Sequence, residues 1–273
     1  MSISRLKTLV IILLVLLNIL FLTIIIRDTV VGTYIEKQAV ENICELLRLR
    51  GISIKPEAVG AYIPLSEMKT TRDIEAEAMF AAIVLDETKM TDQGVIYHYE
   101  NEQRGIAKFF SAGDFEIRLN PGVISSTNDR VKTVRELLRD MKLEISYIAL
   151  SGEPERETVA ATCAYKKASI FNCIIEFVFN GDNLELIRGR YITGIVETES
   201  SATLSTAGTA LLGLYRAVKS GEISCTSVES IEAGYYYLVA GSFGEGSMVP
   251  TWFIVTDNGS YMLEEGTGNI KPV

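Results

Sequence analysis

One histidine, one tryptophan, six prolines and four cysteines occur in 273 residues, and each scarcity closes off a class of function. His98 is the only imidazole, it lies between Tyr97 and Tyr99, and no G-x-S-x-G elbow accompanies it. A His-dependent nucleophile is therefore not expected. Cys44, Cys163, Cys173 and Cys225 contain no C-x-x-C. With a single histidine they are a poor source of the four N or S ligands that zinc usually takes, so no metal and no cofactor are expected. Basic residues are outnumbered, 26 against 35 acidic, for a net charge of −9. Nucleic acid demands a basic surface that releases counterions, so it is disfavoured as a partner. The chain also lacks polar low-complexity tracts, which excludes wholesale disorder and fibrous repeats.

Two glycine-rich pieces, Gly241-Ser242-Phe243-Gly244-Glu245-Gly246 and Gly266-Thr267-Gly268, have no Lys-Ser/Thr and no strand-before, helix-after context. They read as loops between strands rather than phosphate cradles. The acidic groups Glu264-Glu265 and Asp73, Glu75, Glu77 read as solvated faces, since a glycosidase needs two carboxylates at a set separation across a cleft. No enzyme is expected.

What is present starts with an apolar run. Leu9 to Ile26 contains no charge, and only Asn18 and Thr23 are polar. At ~1.5 Å per residue these positions span ~27 Å, close to the ~30 Å hydrocarbon core of a bilayer. Arg5 and Lys7 precede the run, whereas Arg27 and Asp28 after it cancel. The positive-inside rule then leaves residues 1–8 as a cytoplasmic tail, 9–26 as a transmembrane helix, and the rest outside the cell. A cleaved signal peptide has a shorter apolar core and a small-x-small site, and Asp28-Thr29-Val30-Val31 is a poor one. Asn18 falls near mid-membrane, where an amide can bond to another helix. With Leu14 and Leu22, one turn to either side, it forms a candidate partner-binding face.

Beyond the run, Val30 to Arg50 reads as a helix with Val40, Ile43 and Leu47 on one face, stopped by Gly51. It is expected to continue the membrane helix with little break. Ala61–Leu65 and Glu75–Leu85 are ambiguous. Strands are expected over Gly94–Tyr99, Gly105–Phe110 and Phe115–Leu119. A second unit opens with Thr127 or Asn128 capping a helix whose face is Val131, Val134, Leu137, Leu138 and Met141. Strands follow at Ile145–Leu150, Thr158–Tyr165, Phe171–Phe179 and Leu184–Ile192, the last two separated by the turn signal Asn180-Gly181. A helix from Ser201 to Lys219 and strands at Val228–Ala240, Pro250–Thr256 and Ser260–Glu264 complete the chain. Helix followed by antiparallel strands thus occurs twice, over residues 27–125 and 126–273. The fold class is α+β, with helices on one face of a curved sheet. Cys163 and Cys173 are equidistant from Ala168 in a hairpin and both lie on apolar faces. Two buried thiols and a cross-strand disulfide are both compatible with that placement.

The C-terminal third carries the most specific cluster: Val228-x-x-Ile231-x-x-Gly234-Tyr235, then Val249-Pro250-x-Trp252-x-Ile254, then Gly259-Ser260-Tyr261, preceded by Leu211-Leu212-Gly213-Leu214-Tyr215. With the basic tail Arg5-x-Lys7-Thr8 opening into one apolar helix, this resembles the YycI/YycH-type regulators of two-component systems, YycI more closely. The resemblance implies a non-catalytic anchored protein built of PepSY-like α+β units. It further implies that the chain binds a sensor histidine kinase of the WalK (YycG-like) type and a YycH-like membrane protein. Val228, Ile231, Gly234, Tyr235, Pro250 and Trp252 are read as structural. The alternative is an external module that binds an envelope fragment or peptide in an aromatic pocket using Tyr235, Tyr236 or Tyr237. An envelope hydrolase ranks last.

Overall fold

The computed structural model describes the backbone of residues 3–126, 129–153, 155–198, 204–240, 244–264 and 268–273, with side chains for these except 3–12 and 22–34. Ile3–Leu49 is one helix, α1. It stops where expected: Gly51 takes φ +82°, while its N–H donates to Arg48 O (2.9 Å) and Ile52 N–H donates to Leu47 O (3.1 Å). A left-handed residue there closes the last turn without a Cβ clash. The two halves of α1 differ in kind. Leu13, Leu16, Leu17, Leu20 and Phe21 are all exposed, so this stretch is apolar on every face. Farther along, Val40, Cys44 and Leu47 are buried, and this face packs on α4 (Ala207–Ser220). Glu36 accepts a bond from Ala207 N–H at 3.3 Å, which sets an anion against the positive end of α4. Among the described residues no helix is long and apolar enough to cross a membrane; the side chains of residues 9–12 and 22–26, within the expected span, lie outside them.

The remainder is a mixed α+β structure dominated by one sheet. Three helix-and-meander units succeed one another. The first is α2 (Ile74–Leu85) with β2 (Lys89–Asp92), β3 (Ile96–Asn101), β4 (Gly105–Phe110) and β5 (Asp114–Leu119). The second is α3 (Arg130–Asp140) with β6 (Ile145–Glu153), β7 (Arg156–Tyr165), β8 (Ala168–Asn180) and β9 (Asn183–Arg190). The third is α4 with β11 (Val228–Val239), β12 (Gly246–Thr256), β13 (Gly259–Glu264) and β14 (Asn269–Pro272). Two short strands, β1 (Met68–Thr70) and β10 (Val196–Glu197), extend the edge beside β12. Consecutive strands within each unit pair antiparallel.

The sequence pattern divides the same region into two units, 27–125 and 126–273. The first of the three begins with α2, whose segment IEAEAMFAAIVL is apolar around most of its circumference, so periodicity could not separate helix from strand there. Asp73 caps it, accepting from Ala76 N–H at 3.1 Å. For α3 the cap is Asp129, accepting from Lys132 N–H at 2.9 Å, in place of the expected Thr127 or Asn128, which lie outside the described residues. Thr206 caps α4, so that helix starts later than Ser201. Ala61–Leu65 contains no strand.

The boundary expected after residue 125 is not a break in the sheet. β5 pairs antiparallel with β9 from Asp114↔Arg190 to Arg118↔Leu186. The third unit joins through a short parallel contact, Gly234↔Ser169 and Tyr235↔Ile170, between β11 and β8. Beyond that contact a side chain continues the ladder: Asn172 Nδ2 donates to Tyr237 O and Tyr237 N–H donates to Asn172 Oδ1, both at 2.8 Å. Phe171 stacks on Phe253 across the seam, with centroids 4.4 Å apart. The chains meet closely here because residue 234 has no side chain. A Cβ on Gly234 would lie 2.5 Å from Ser169 O and 2.7 Å from the Phe171 ring. Gly234→Ala should therefore lower stability by roughly 1–3 kcal/mol through overpacking, seen as an earlier urea midpoint by circular dichroism. A midpoint equal to the parent's would contradict this account of the seam.

Candidate functional site

A cavity of about 400 Å³ opens between α2, the end of α3, the β7–β8 hairpin and the chain after β9. Phe80 of α2 forms part of its wall, its ring 4.7 Å from that of Tyr191 and 5.0 Å from that of Phe115. Met79 and Ile83 form the lip on α2, and both are exposed. Met141 and Leu143, just after α3, also line it, as do Ile170 of β8 and Ile195 beyond β9. The turn at Met141 and Lys142 follows the α3 C-terminus, where Lys142 takes φ +56°. The wall is therefore mostly methyl, methylene, aromatic and sulfur-bearing groups from four segments far apart in sequence. Burial pushes the Tyr191 hydroxyl above its ordinary pKa, helped by Asp73 and Glu77, so it stays neutral.

Cys163 and Cys173 line the same cavity. The hairpin turns at Lys166 and Lys167, both with positive φ, so its centre falls just before Ala168. The register jumps between Thr162↔Ile174 and Ala164↔Ser169; Cys163 and Cys173 are thus not a register pair, although both side chains reach the cavity. Both are free and buried. The neighbouring Cys163 thiol and then burial hold the Cys173 thiol well above its ordinary pKa, and its Sγ donates to Arg190 O at 3.0 Å. Such thiols pack as small apolar groups and are weak nucleophiles.

Beneath α2 lies a buried ion pair. Arg72 Nε bonds Glu77 Oε1 at 2.7 Å and Arg72 Nη2 bonds Glu77 Oε2 at 2.9 Å. Glu77 is 3% exposed. The guanidinium also donates to Phe109 O (3.0 Å) and lies 4.5 Å from the Tyr97 ring centroid. Burial raises the Glu77 carboxyl above its ordinary pKa, against the lowering effect of Arg72. Every polar arm of this pair is spent on the protein itself, which marks it as structural.

The residues singled out from sequence fall in three places. Val228, Ile231, Tyr235 and Trp252 are buried, Pro250 opposes Tyr235 in the ladder, and Gly234 forms the seam. Tyr235 and Tyr237 are both buried and do not line the large cavity, whose aromatic groups are Phe80, Tyr165 and Tyr191. Asn18 Nδ2 donates to Leu14 O at 2.8 Å within α1; both residues are exposed, and the Leu22 side chain lies outside the described residues. His98 pairs across strands with Lys108 and Thr91. Among the described residues, no group of three His, Cys, Asp or Glu could hold a metal ion. Sequence reasoning missed the cavity. Its one legible sign was Met79 and Ile83, two large apolar residues four apart on an exposed helix face.

No protein-family model matches the chain, and no curated protein matches it. Solved structures do resemble it. An uncharacterized protein from Eubacterium rectale ATCC 33656 aligns over 77% of this chain and 86% of that one, with 7% identity and a TM-score of 0.51. The C-terminal domain of Bacillus megaterium YpeB aligns over 75% of this chain and 98% of that one, with 8% identity and a TM-score of 0.36. At such identities, what this chain shares with the Eubacterium rectale protein is the α+β fold, and that likeness carries no function with it.

Proposed function

We propose that the chain is a single-pass membrane protein with its amino terminus in the cytoplasm and its α+β domain outside the cell. In this reading it regulates a sensor histidine kinase of the WalK type without catalysis, alongside a YycH-like membrane protein and on PepSY-like units. The supporting observation is the continuity of α1: Ile3–Leu49 is one helix, apolar on all sides near its start and packed into the domain core by Val40, Cys44 and Leu47. A helix without a hinge transmits displacement between bilayer and domain. The partners themselves come from the sequence resemblance to YycI/YycH-type regulators.

Co-purification tests it. Full-length chain should recover a sensor kinase from membranes, and residues 30–273 should recover less. Asn18→Leu should weaken capture by roughly 0.6–2 kcal/mol, the usual range for a polar contact between membrane helices. The Asn18 amide still has its oxygen and one N–H to offer after bonding Leu14 O. Equal recovery by Asn18→Leu would count against the helix contact, and recovery of no kinase by the full-length chain would remove the kinase from the reading. A second reading, an external ligand-binding module, is favoured by the cavity beside α2. Its size falls within the ~300–1,000 Å³ typical of small-molecule sites.

A further inference from the structure

We infer that the cavity beside α2 takes one chain of a single-tailed anionic amphiphile, of which a fatty carboxylate is the simplest; this rests on the ligand-binding reading and not on the kinase. Three observations converge. First, most of the wall is apolar: Met79, Phe80, Ile83, Leu143, Ile170 and Ile195 all line it. Among the described residues the buried unpartnered side-chain atoms are on Thr70, Arg130 and Glu157, none of which lines the cavity. A polar ligand would lose its water against this wall for little return, whereas an aliphatic chain meets methyl, aromatic and thioether groups. Met79 at the lip and the buried Met141 in the wall suit a flexible chain.

Second, the volume of about 400 Å³ lies near the low end for small-molecule sites, room for one tail rather than the pair carried by a bilayer phospholipid. Third, a strip of basic side chains borders the mouth, in a chain that is acidic as a whole. Arg135, Arg139 and Lys142 follow one another at helical spacing along the exposed side of α3 and its turn, and they line a shallow hollow that shares Lys142, Leu143 and Glu144 with the cavity. Two acids lie at this rim. Glu144 is engaged, accepting from Lys167 N–H at 3.2 Å, and Asp140 is 4.0 Å from Arg139. Among the described residues Lys142 has no ion-pair partner, which leaves its ammonium for an incoming carboxylate. Arg190, also on the wall, is already held by Asp114 at 2.9 Å.

The test uses the full-length chain in phosphatidylcholine nanodiscs with two photoactivatable probes, a diazirine myristate and the corresponding diazirine alcohol, mapped by peptide mass spectrometry. The expected result is myristate cross-linking on the peptides carrying Met79, Ile83 or Met141, competed by unlabelled myristate. Ala76→Phe, which fills the cavity from α2, should cut labelling of these peptides by both probes about tenfold. Lys142→Glu changes only an exposed side chain and should cut myristate labelling about tenfold while sparing the alcohol. If the alcohol labels the cavity and myristate does not, the anionic head is wrong and the inference falls while the pocket reading survives. If neither probe labels these peptides, or Ala76→Phe leaves labelling unchanged in a folded protein, both fall.

Discussion

Arg72→Ala is expected to lower the unfolding free energy by about 3–5 kcal/mol, because it leaves the buried Glu77 carboxylate without its partner. Arg72 meets both Glu77 oxygens and also donates to the Phe109 and Val95 carbonyls, so one truncation opens four bonds around α2. For a domain of this size each kcal/mol shifts the melting temperature by roughly 2–4 °C, and calorimetry will read the loss directly. The deficit should depend on pH. Burial already raises the Glu77 carboxyl above 4.5, and Arg72 opposes that rise. Without Arg72 the folded-state value climbs further above the unfolded one. A group raised in this way contributes stability that is present below its unfolded pKa and lost as pH rises through its folded pKa. The variant should accordingly recover part of its deficit as pH falls from 7 toward 4.5. A deficit of equal size at both ends would show that lost packing, and not the stranded charge, is responsible.

Trp252→Ala carries the second large effect, about 3–5 kcal/mol for emptying a buried indole site. Trp252 is 0% exposed, and its Nε1–H donates to Ser205 O at 2.8 Å. It therefore ties β12 to the segment that enters α4, the helix on which α1 rests. Trp252→Phe keeps most of the apolar contact but drops the hydrogen bond, and should cost about 1–3 kcal/mol. As the sole tryptophan, it also makes the parent's fluorescence a reporter of this one junction, so the variants are best compared by circular dichroism. Alanine and phenylalanine variants of equal stability would place the energy in the hydrogen bond alone. A loss under 1 kcal/mol in both would mean that the junction is not part of the cooperative core.

Much of the architecture was legible one element at a time. The β4 range Gly105–Phe110 follows from its sequence pattern without correction. The stop of α1 at Gly51, the turn at Asn180-Gly181 and the long apolar strand around Phe177 are all local consequences of residue chemistry. So was the α+β class, since periods of two and of 3.6 alternate along the chain. The misreadings have equally local causes. α2 is too apolar for its period to show, and the Cys163–Cys173 hairpin contains a register jump that symmetric counting from Ala168 could not anticipate.

By itself the sequence determined the type of most strands and helices, though not of α2, and that one stretch of α1 is apolar on every side, because these depend on side-chain type at fixed spacing. Tertiary structure decided how three helix-and-meander units share one sheet. It did so through β5 against β9 and through a parallel seam two residue pairs long, which exists because Gly234 admits Ser169 and Phe171 at close range. Pairing between distant strands has no signature within either strand, since each offers the same backbone donors and acceptors to any partner. The cavity has the same origin. Met79, Met141, Cys173 and Tyr191 are ordinary apolar positions in four separate elements, and only their packing leaves a space among them with basic side chains at its mouth.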